Sequence, residues 1–347
     1  MKKFFTVAAS LILSAAMLTA CGSSAAPAAT TGAPETTAAA VTQAPETTEE
    51  TKSFNIAIVQ QLDHASLDEI RLAVEDELTK AAADKGFQVS YKEFNGQNDN
   101  TVLNQIGAQV VSDKYDAIIP IASLAAQCMV TAADGTNTPI IYAAVSDPAT
   151  AGLTDIPNVT GTSDALNTAF ILDMMLAAQP DVKTVGLLYS NSEANSQTPI
   201  AQAKEYLEQK GIAYIEKTGN STDEILTAAS SLVGRVEAVF TPTDNVVMAC
   251  EGAVAEILNQ AGIAHYTGAD SFVAAGAFTT SGVNYTELGT YTADMAVDIL
   301  LGGAVPEYHV MDGGIITVNT DTAEALGMDY SVFKTMANTV TEVTTVE

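Results

Sequence analysis

The sequence predicts an α/β protein with two doubly wound parallel-sheet lobes joined by a hinge. Short apolar runs alternate with longer amphipathic runs from residue 54 onward, and the same alternation restarts near residue 163. Such alternation favours parallel sheets that are covered by helices on both faces. After the N-terminal leader, about 295 residues remain, which is enough for two hydrophobic cores of ordinary size.

The first half contains four strand–helix units. Residues 55–60 form a short apolar run typical of a buried strand, and apolar side chains between Leu67 and Ala83 recur at helical spacing. The other predicted strands of this half cover 87–93, 116–121, 139–144 and 158–161, and the other helices cover 101–112 and 123–133. Consecutive units of this kind predict one parallel sheet.

The second half repeats this order, beginning with a helix over 165–178 that stops before Pro180. Strands are predicted over 184–189, 212–217, 238–241, 265–267 and 315–318, helices over 195–209, 222–233, 245–261, 285–301 and 322–326, and an extended segment over 272–281. We expect a late helix to return to the first lobe and a final strand to the second. The predicted lobes are 54–162 with about 283–306 and 163–282 with about 307–330, followed by a tail at 331–347.

The N-terminus predicts export. Lys2 and Lys3 precede an apolar stretch that is shorter than the roughly 20 residues needed to span a membrane. Small residues and then Cys21 follow, a pattern that resembles the lipobox of bacterial lipoproteins. We therefore predict a signal peptide at 1–20 and lipidation, such as palmitoylation, at Cys21; a plain secretory signal with a chance cysteine is the alternative. The predicted location is the cell membrane, with the lipid-anchored chain facing outside the cytoplasm.

Composition limits the classes of partner that the chain can bind. Residues 21–53 are rich in Ala, Thr and Pro, which predicts a disordered tether behind the lipidated cysteine. The formal charge of −28 disfavours nucleic acid and anionic surfaces as partners. Cys128 and Cys250 each lie in an apolar stretch and fit small buried side chains, with a disulfide between them as the alternative. We expect a monomer without a metal or other cofactor.

Hydrogen-bonding side chains follow the predicted strands of both halves. In open parallel sheets, ligands collect beyond the carboxyl ends of the strands. Each of these side chains also fits a helix N-cap or a turn, but their joint placement predicts one shared ligand cleft. The predicted ligand-binding residues are Gln61, His64, Ser123, Ser146, Asp147, Tyr189, Asn195, Ser196, Asp244, Asn245 and Asp270.

Catalysis is not predicted. The sequence contains no GxSxG, HExxH or phosphate-binding Gly-rich motif. A nucleophile needs a base and a group that orients the base, and the sequence offers no such set. His64 is interpreted as a hydrogen-bonding loop residue rather than a general base.

Several motifs carry a family resemblance in the correct order along residues 54–330. They are Ile58-Val59-Gln60 with His64, Ala122 to Gln127, Ala144 to Pro148, Asn158 to Gly161, Glu193 to Ser196 and Pro242 to Asn245. The chain resembles the ABC transporter substrate-binding family that includes the tryptophan- and tyrosine-binding lipoproteins. Two positions depart from the family pattern: Ala65 replaces a usual proline, and Ser123-Leu124 replaces Thr-Pro.

The resemblance implies a type I periplasmic-binding fold and an amino-acid ligand, with aromatic amino acids favoured. The ligand carboxylate would suit Ser123 and the helix start there, and its ammonium would suit Asp244 or Asp270. Tyr189 or Tyr142 would form an aromatic wall, although Tyr142 fits the core better. The implied partners are an ABC permease and its ATPase; the alternatives are a ligand-sensing lipoprotein for a membrane receptor and a binder of a nucleoside or sugar.

Overall fold

The structure is a computed structural model that describes residues 51–346. The predicted signal peptide, the lipidation site Cys21 and nearly all of the predicted tether lie outside the described residues. From residue 51 to 346, no helix combines the length and the apolar character that crossing a membrane requires.

The first lobe is built on a six-stranded parallel sheet. Its strands are β1 (Ser53–Gln60), β2 (Gln88–Asn95), β3 (Ala117–Ile121), β4 (Ile140–Tyr142), β5 (Val159–Ser163) and β11 (His309–Val310), in the order β11-β5-β4-β3-β1-β2. The interior strand β1 shows why the sheet is covered on both faces. Ile56 and Ile58 belong to one buried cluster, and the alternating Ala57 and Val59 belong to another. Successive side chains of a strand point to opposite faces, so both faces of β1 are core.

Two helix pairs provide these two cores. Helices α1 (Ala65–Lys85) and α10 (Tyr285–Leu300) pack together and contribute to the cluster of Ile56 and Ile58. Helices α2 (Asn100–Asp113) and α3 (Ser123–Ala132) form the cluster on the other face. The late helix α10 therefore packs on the first lobe.

The second lobe contains a seven-stranded sheet in which one strand pair is antiparallel. Its strands are β6 (Thr184–Tyr189), β7 (Ala213–Thr218), β8 (Ala238–Thr241), β9 (Ala264–Thr267), β10 (Thr279–Gly282), β12 (Ile315–Asn319) and β13 (Val340–Val343), in the order β13-β12-β10-β9-β8-β6-β7. Only β10 and β12 run antiparallel within this sheet. Its helices are α4 (Thr168–Ala178), α5 (Ala194–Lys210), α6 (Thr222–Leu232), α7 (Asn245–Met248), α8 (Glu251–Gln260), α9 (Asp270–Ala274) and α11 (Thr320–Leu326), with a 3₁₀ turn at Ser331–Thr335.

Helices cover both faces of this sheet as well. Leu187 of β6 belongs to the cluster formed with α4 and α5, whereas its neighbour Leu188 belongs to the cluster formed with α6 and α8. The predicted α/β architecture with two parallel-dominated sheets is confirmed. The buried Cys128 and Cys250 are free thiols and form no disulfide with each other.

The chain crosses between the sheets three times, after β5, after β10 and after β11. The last crossing differs from the predicted lobe boundary at 306, because β11 pairs with β5 and places His309 and Val310 in the first sheet. The predicted tail at 331–347 contains β13, which pairs with β12 in the second sheet. β11 has only two residues and β13 is largely exposed, so neither presents the buried apolar run from which strands were predicted.

Two further predictions differ from the structure. The helix predicted over 245–261 is divided into α7 and α8 by a turn at Ala249 and Cys250. The segment predicted as extended over 272–281 begins within helix α9 and becomes a strand only at Thr279. Short apolar runs suit a buried strand and a buried helix equally well, and tertiary packing decides between them.

Candidate functional site

The carboxyl ends of the two sheets face each other, and side chains from their loops are hydrogen-bonded across the gap. Gln61 Nε2 of the first lobe donates to Glu193 Oε1 of the second at 2.8 Å. His64 Nε2 lies 3.0 Å from Asn245 Oδ1, and Thr198 Oγ1 donates to Asp147 Oδ2 at 2.6 Å. Three hydroxyl pairs complete this set, Ser66 with Ser271, Ser146 with Thr243, and Thr150 with Thr198. Several of the predicted site residues thus lie together at the interface between the lobes.

A small polar cavity lies within this interface. Its volume is about 20 Å³, about the space of one water molecule. It is lined by His64, Ser66, Leu67, Ala122, Ala144, Ser146, Asp164, Asn195, Thr243, Asp244, Asn245, Met248, Ala269, Phe272 and Tyr285. These side chains come from both lobes, so the size of the cavity depends on how closely the lobes approach.

Two alanines of the cavity wall have left-handed backbone conformations. Ala122 follows β3 with a φ of 77°, and Ala144 follows β4 with a φ of 54°. Residues other than glycine rarely adopt such angles, and strain of this kind is concentrated at functional sites. These strained angles are therefore consistent with a functional role for the loops that follow β3 and β4.

Two buried acceptor atoms in the cavity wall have no partner. Asn245 donates through Nδ2 to Glu193 Oε2 at 2.6 Å, so its Oδ1 must accept from His64 Nε2. Burial lowers the pKa of His64, which keeps its ring neutral near pH 7 and leaves Nδ1 as an acceptor. Asn195 donates through Nδ2 to the Thr243 carbonyl at 2.6 Å, which leaves its Oδ1 as a second acceptor. Neither His64 Nδ1 nor Asn195 Oδ1 has a hydrogen-bond partner.

Asp164 adds a carboxylate that the sequence analysis did not select. This residue follows β5, is 5% exposed, and accepts hydrogen bonds from Ser146 Oγ at 2.8 Å and Tyr285 OH at 3.1 Å. Burial raises its pKa above the ordinary value. The rule that ligands meet strand ends would have selected Asp164, but the predicted strand ended at residue 161, two positions before the end of β5.

Glu193 is the second residue that the site prediction omitted. It is 2% exposed in the loop before α5 and accepts from Gln61 and Asn245. Burial, together with the nearby Asp244 carboxylate, raises the pKa of Glu193 to about 7. Glu193 begins the Glu193–Ser196 motif, but its contact with Gln61 spans 132 positions and has no local sequence signal.

Three predicted residues support the loops around the cavity: Asp244 lies in its wall, and Ser196 and Gln61 lie outside it. The Asp244 carboxylate accepts four hydrogen bonds, from the amides of Ser190, Val246 and Val247 and from Ser196 Oγ. Gln61 is equally saturated, because Nε2 donates to Asn98 and Glu193 while Oε1 accepts from the Leu124 amide. Asp244, Ser196 and Gln61 therefore hold the loops in place, and their polar groups are already engaged.

Four other predicted residues do not line the cavity. Ser123 is buried next to Ala122 at the start of α3, and Asp147 closes its own loop through Thr150 and reaches Thr198. Tyr189 directs its hydroxyl to Glu216 at 2.8 Å, away from the cavity. Asp270 begins α9, where burial and the nearby Glu69 raise its pKa. Tyr142, the alternative aromatic wall, lies fully buried in the core of the first lobe.

A buried trio in the second lobe has the residue types of a catalytic triad. His265 Nδ1 lies 2.9 Å from Glu251 Oε1, and its Nε2 lies 2.8 Å from Thr241 Oγ1. All three side chains are at most 1% exposed, so no substrate reaches the hydroxyl. Thr241 ends β8 just before the Pro242–Asn245 turn, and the trio therefore fixes the base of a cavity loop.

The fold and the polar cavity between its lobes define a two-lobed binding protein of the type I periplasmic class. The sequence profile of the ABC transporter substrate binding protein family matches residues 55–338. The chain belongs to this family.

Among similar proteins is a tyrosine-binding protein from Clostridioides difficile, 32% identical over 292 residues, covering 81% of this chain and 83% of the relative. An ABC domain in complex with L-Trp from Streptococcus pneumoniae superposes with a TM-score of 0.77 at 29% identity, covering 83% of this chain and all of that one. A ligand-free, open substrate binding protein from Clostridium difficile is 33% identical, yet its TM-score is only 0.63, over 84% of this chain and all of that one. A lower TM-score is expected between that open structure and this one, in which the lobes lie in contact.

Proposed function

We propose that this chain captures a small zwitterionic solute, with an aromatic amino acid favoured, by closing its two lobes around it. We further propose that the closed lobes deliver this solute to an ABC permease and its ATPase for uptake. The observation that carries the proposal is the pair of unpartnered acceptors, His64 Nδ1 and Asn195 Oδ1, within an inter-lobe cavity that also contains Asp164. The relatives named for tyrosine and for L-Trp support the amino-acid class.

The acceptors favour a ligand with several donor hydrogens on one atom. A buried polar atom without a partner costs about 1–3 kcal/mol, so a group that satisfies His64 and Asn195 together stabilises the closed form. Among the described residues, no lysine or arginine lines the cavity. A primary ammonium matches this environment, since it offers three donors and a charge that complements Asp164.

The remaining wall suits the other parts of an amino acid. Ala122 precedes the first turn of α3, where backbone amides and the helix dipole favour a carboxylate. Leu67, Met248 and Phe272 line the cavity with apolar surface, which an aromatic side chain could contact. This assignment keeps the predicted place of the carboxylate and moves the ammonium from Asp244 or Asp270 to the group formed by His64, Asn195 and Asp164.

Capture requires the lobes to separate and close again. The cavity of about 20 Å³ is far below the roughly 300 Å³ or more of typical small-molecule pockets. The lobes must open at the three crossings to admit a solute. In the liganded form, the gap between the lobes must be wider than it is here. A solute that contacts both lobes shifts the equilibrium toward closure because it binds only that form well.

Isothermal titration with matched ligands tests this proposal. L-Tyrosine and L-tryptophan are compared with 3-(4-hydroxyphenyl)propanoate, which lacks the ammonium, and with tyramine, which lacks the carboxylate. We expect loss of the ammonium to weaken binding at least about tenfold, and Asn195→Ala to do the same for L-tyrosine. Asn158→Ala is the control, because Asn158 makes the same kind of side-chain bond to a carbonyl, at Thr138, away from the cavity. Equal affinity for tyrosine and the propanoate would refute the ammonium assignment.

We also propose that the chain is a lipoprotein anchored through Cys21 and that it works outside the cytoplasm, without a catalytic role. The support is the sequence pattern around Cys21 and the membership in a transporter family. Cells fed radiolabelled palmitate should label the wild-type chain and not Cys21→Ser. Deletion of the gene should reduce uptake of the bound solute; normal uptake with a lost response to the solute would instead favour a sensing role.

A further inference from the structure

A second, larger cavity lies at the crossings between the lobes. Its volume is about 580 Å³, well within the range of small-molecule pockets. Residues 164–167, 281–283 with Tyr285, and 313–315 line it, so all three crossings contribute, together with 336–339 from the segment before β13. We call this cavity the hinge pocket.

The polar end of the hinge pocket is acidic. Asp164 lines it and is 5% exposed, with a pKa raised by burial. Ser281 is also buried, and its Oγ has no hydrogen-bond partner. None of the described residues that line the pocket is basic. A positively charged donor in this pocket would favour the ionised form of Asp164 and would satisfy Ser281.

The rest of the wall is apolar. Phe170 of α4, Val283, Ile315 and Met336 line the pocket, and Ile315 retains 37% exposure. The partly exposed Ile315 and the Phe170 ring, which line the same pocket, provide surface that an apolar group can cover. The hinge pocket therefore combines one buried carboxylate with an apolar wall.

The hinge pocket is separate from the small cavity between the lobes. The two cavities share only Asp164 and Tyr285. Asp164 accepts hydrogen bonds from Ser146, which lines only the small cavity, and from Tyr285, which lines both cavities. His64 and Asn195 line only the small cavity, so variants can distinguish the two.

We propose that the hinge pocket is a second small-molecule site, which binds a molecule with one protonated amine attached to an apolar body. Its ammonium pairs with Asp164 and donates to Ser281 Oγ, and its apolar part covers Phe170 and Ile315. This site goes beyond capture between the lobes, although it shares the Asp164 carboxylate with the cavity proposed to take up the solute.

The test uses 2-phenylethylamine as the probe and 2-phenylethanol as its neutral counterpart, with binding followed by nitrogen-15 amide shifts. Gly313→Leu blocks the hinge pocket. A Cβ at Gly313 would stand 3.8 Å from the Gly282 carbonyl oxygen and 3.9 Å from Val283 Cγ1, so the backbone accepts a side chain there. Gly313→Ala is the matched smaller change. Ser281→Ala removes the unpartnered hydroxyl and serves if Gly313→Leu fails to fold.

We expect Gly313→Leu to weaken amine binding at least about tenfold, with Gly313→Ala and Asn195→Ala staying within about twofold of wild type. Ser281→Ala should weaken it by about threefold, and the alcohol should bind at least about tenfold more weakly than the amine. Unchanged amine binding in Gly313→Leu, equal binding of the two probes, or loss of binding in Asn195→Ala would each overturn the proposal. Only the last result would place the amine in the small cavity, so failure here is distinct from failure of solute capture.

Discussion

The Glu193 carboxylate of the second lobe accepts from Gln61 of the first lobe at 2.8 Å and from Asn245 of its own lobe at 2.6 Å. Through Asn245 it also fixes the proton of His64 on Nε2 and thereby leaves Nδ1 free to accept. One buried carboxylate thus connects the lobes and sets the hydrogen-bonding character of the cavity.

Folding of this chain should be sensitive to pH through Glu193. Burial and Asp244 raise its pKa from 4.5 to about 7, so folding takes up a proton between these values. Stability from this group is therefore greatest below pH 4.5 and decreases as the pH rises toward 7. Glu193→Gln mimics the protonated acid and should show a smaller fall in Tm between pH 5 and pH 8 than the wild type, by a few degrees. Parallel Tm profiles would show that Glu193 does not titrate in this range.

Asp244 should act as a structural support. Asp244→Ala leaves three backbone amides and the Ser196 hydroxyl without their acceptor, and we expect it to lower the free energy of unfolding by about 2–4 kcal/mol. Asp99→Ala is the control, because Asp99 caps α2 in the same way at an exposed position, and its loss should cost less. If Asp244→Ala kept the wild-type Tm and lost only tyrosine binding, Asp244 would be an ammonium partner, as the sequence suggested.

His64 should contribute to ligand affinity through its free Nδ1. His64→Ala removes one acceptor from the cavity and the bond to Asn245, so L-tyrosine should bind about tenfold more weakly by calorimetry. His309→Ala provides the comparison, since His309 lies on the edge strand β11 and stacks on Tyr291. Equal losses in the two variants would mean that the effect is not specific to the cavity.

Gly268 should be essential for the loop that carries Thr243. A Cβ there would stand 2.5 Å from the Thr243 nitrogen and 2.8 Å from the Pro242 carbonyl carbon, so Gly268→Ala must displace the Pro242–Asn245 turn. We expect lower Tm and weaker tyrosine binding together, because Asn195 is held by the Thr243 carbonyl. Gly252→Ala, where the nearest atom is 4.0 Å away, should leave both quantities close to wild type. A normal affinity in Gly268→Ala would show that the turn can move without disturbing the site.

Sequence periodicity predicted most of the fold because the elements are long and their apolar patterns are clear. The apolar run of β1 and the helical stripe of α1 are local signals, and both are confirmed. The strand β11 was missed because two residues carry too little pattern, and β13 was missed because it is largely exposed and has no buried apolar run. Their pairing depends on partners far away in the chain, which only the folded chain brings together.

The sequence predicted the region in which the site lies, but not which side chains face the cavity. Strand-end placement brought His64, Asn195 and Ser146 to the cavity wall. It could not separate residues that face a ligand from those that brace a loop, because an N-cap such as Asp244 uses the same residue types. The roles of Asp164 and Glu193 depend on burial and, for Glu193, on a contact across the lobes, which a single sequence does not encode locally.

The contacts between the lobes have a consequence for the surroundings in which the chain can work. Among residues 51–346, every ion pair lies within one lobe, and the polar contacts across the gap are hydrogen bonds between side chains. Dissolved electrolyte screens exposed charge pairs strongly and such short-range bonds hardly at all. The hydrogen bonds between the lobes should therefore change little with salt, and any salt dependence of closure should come from the large excess of negative charge on the chain.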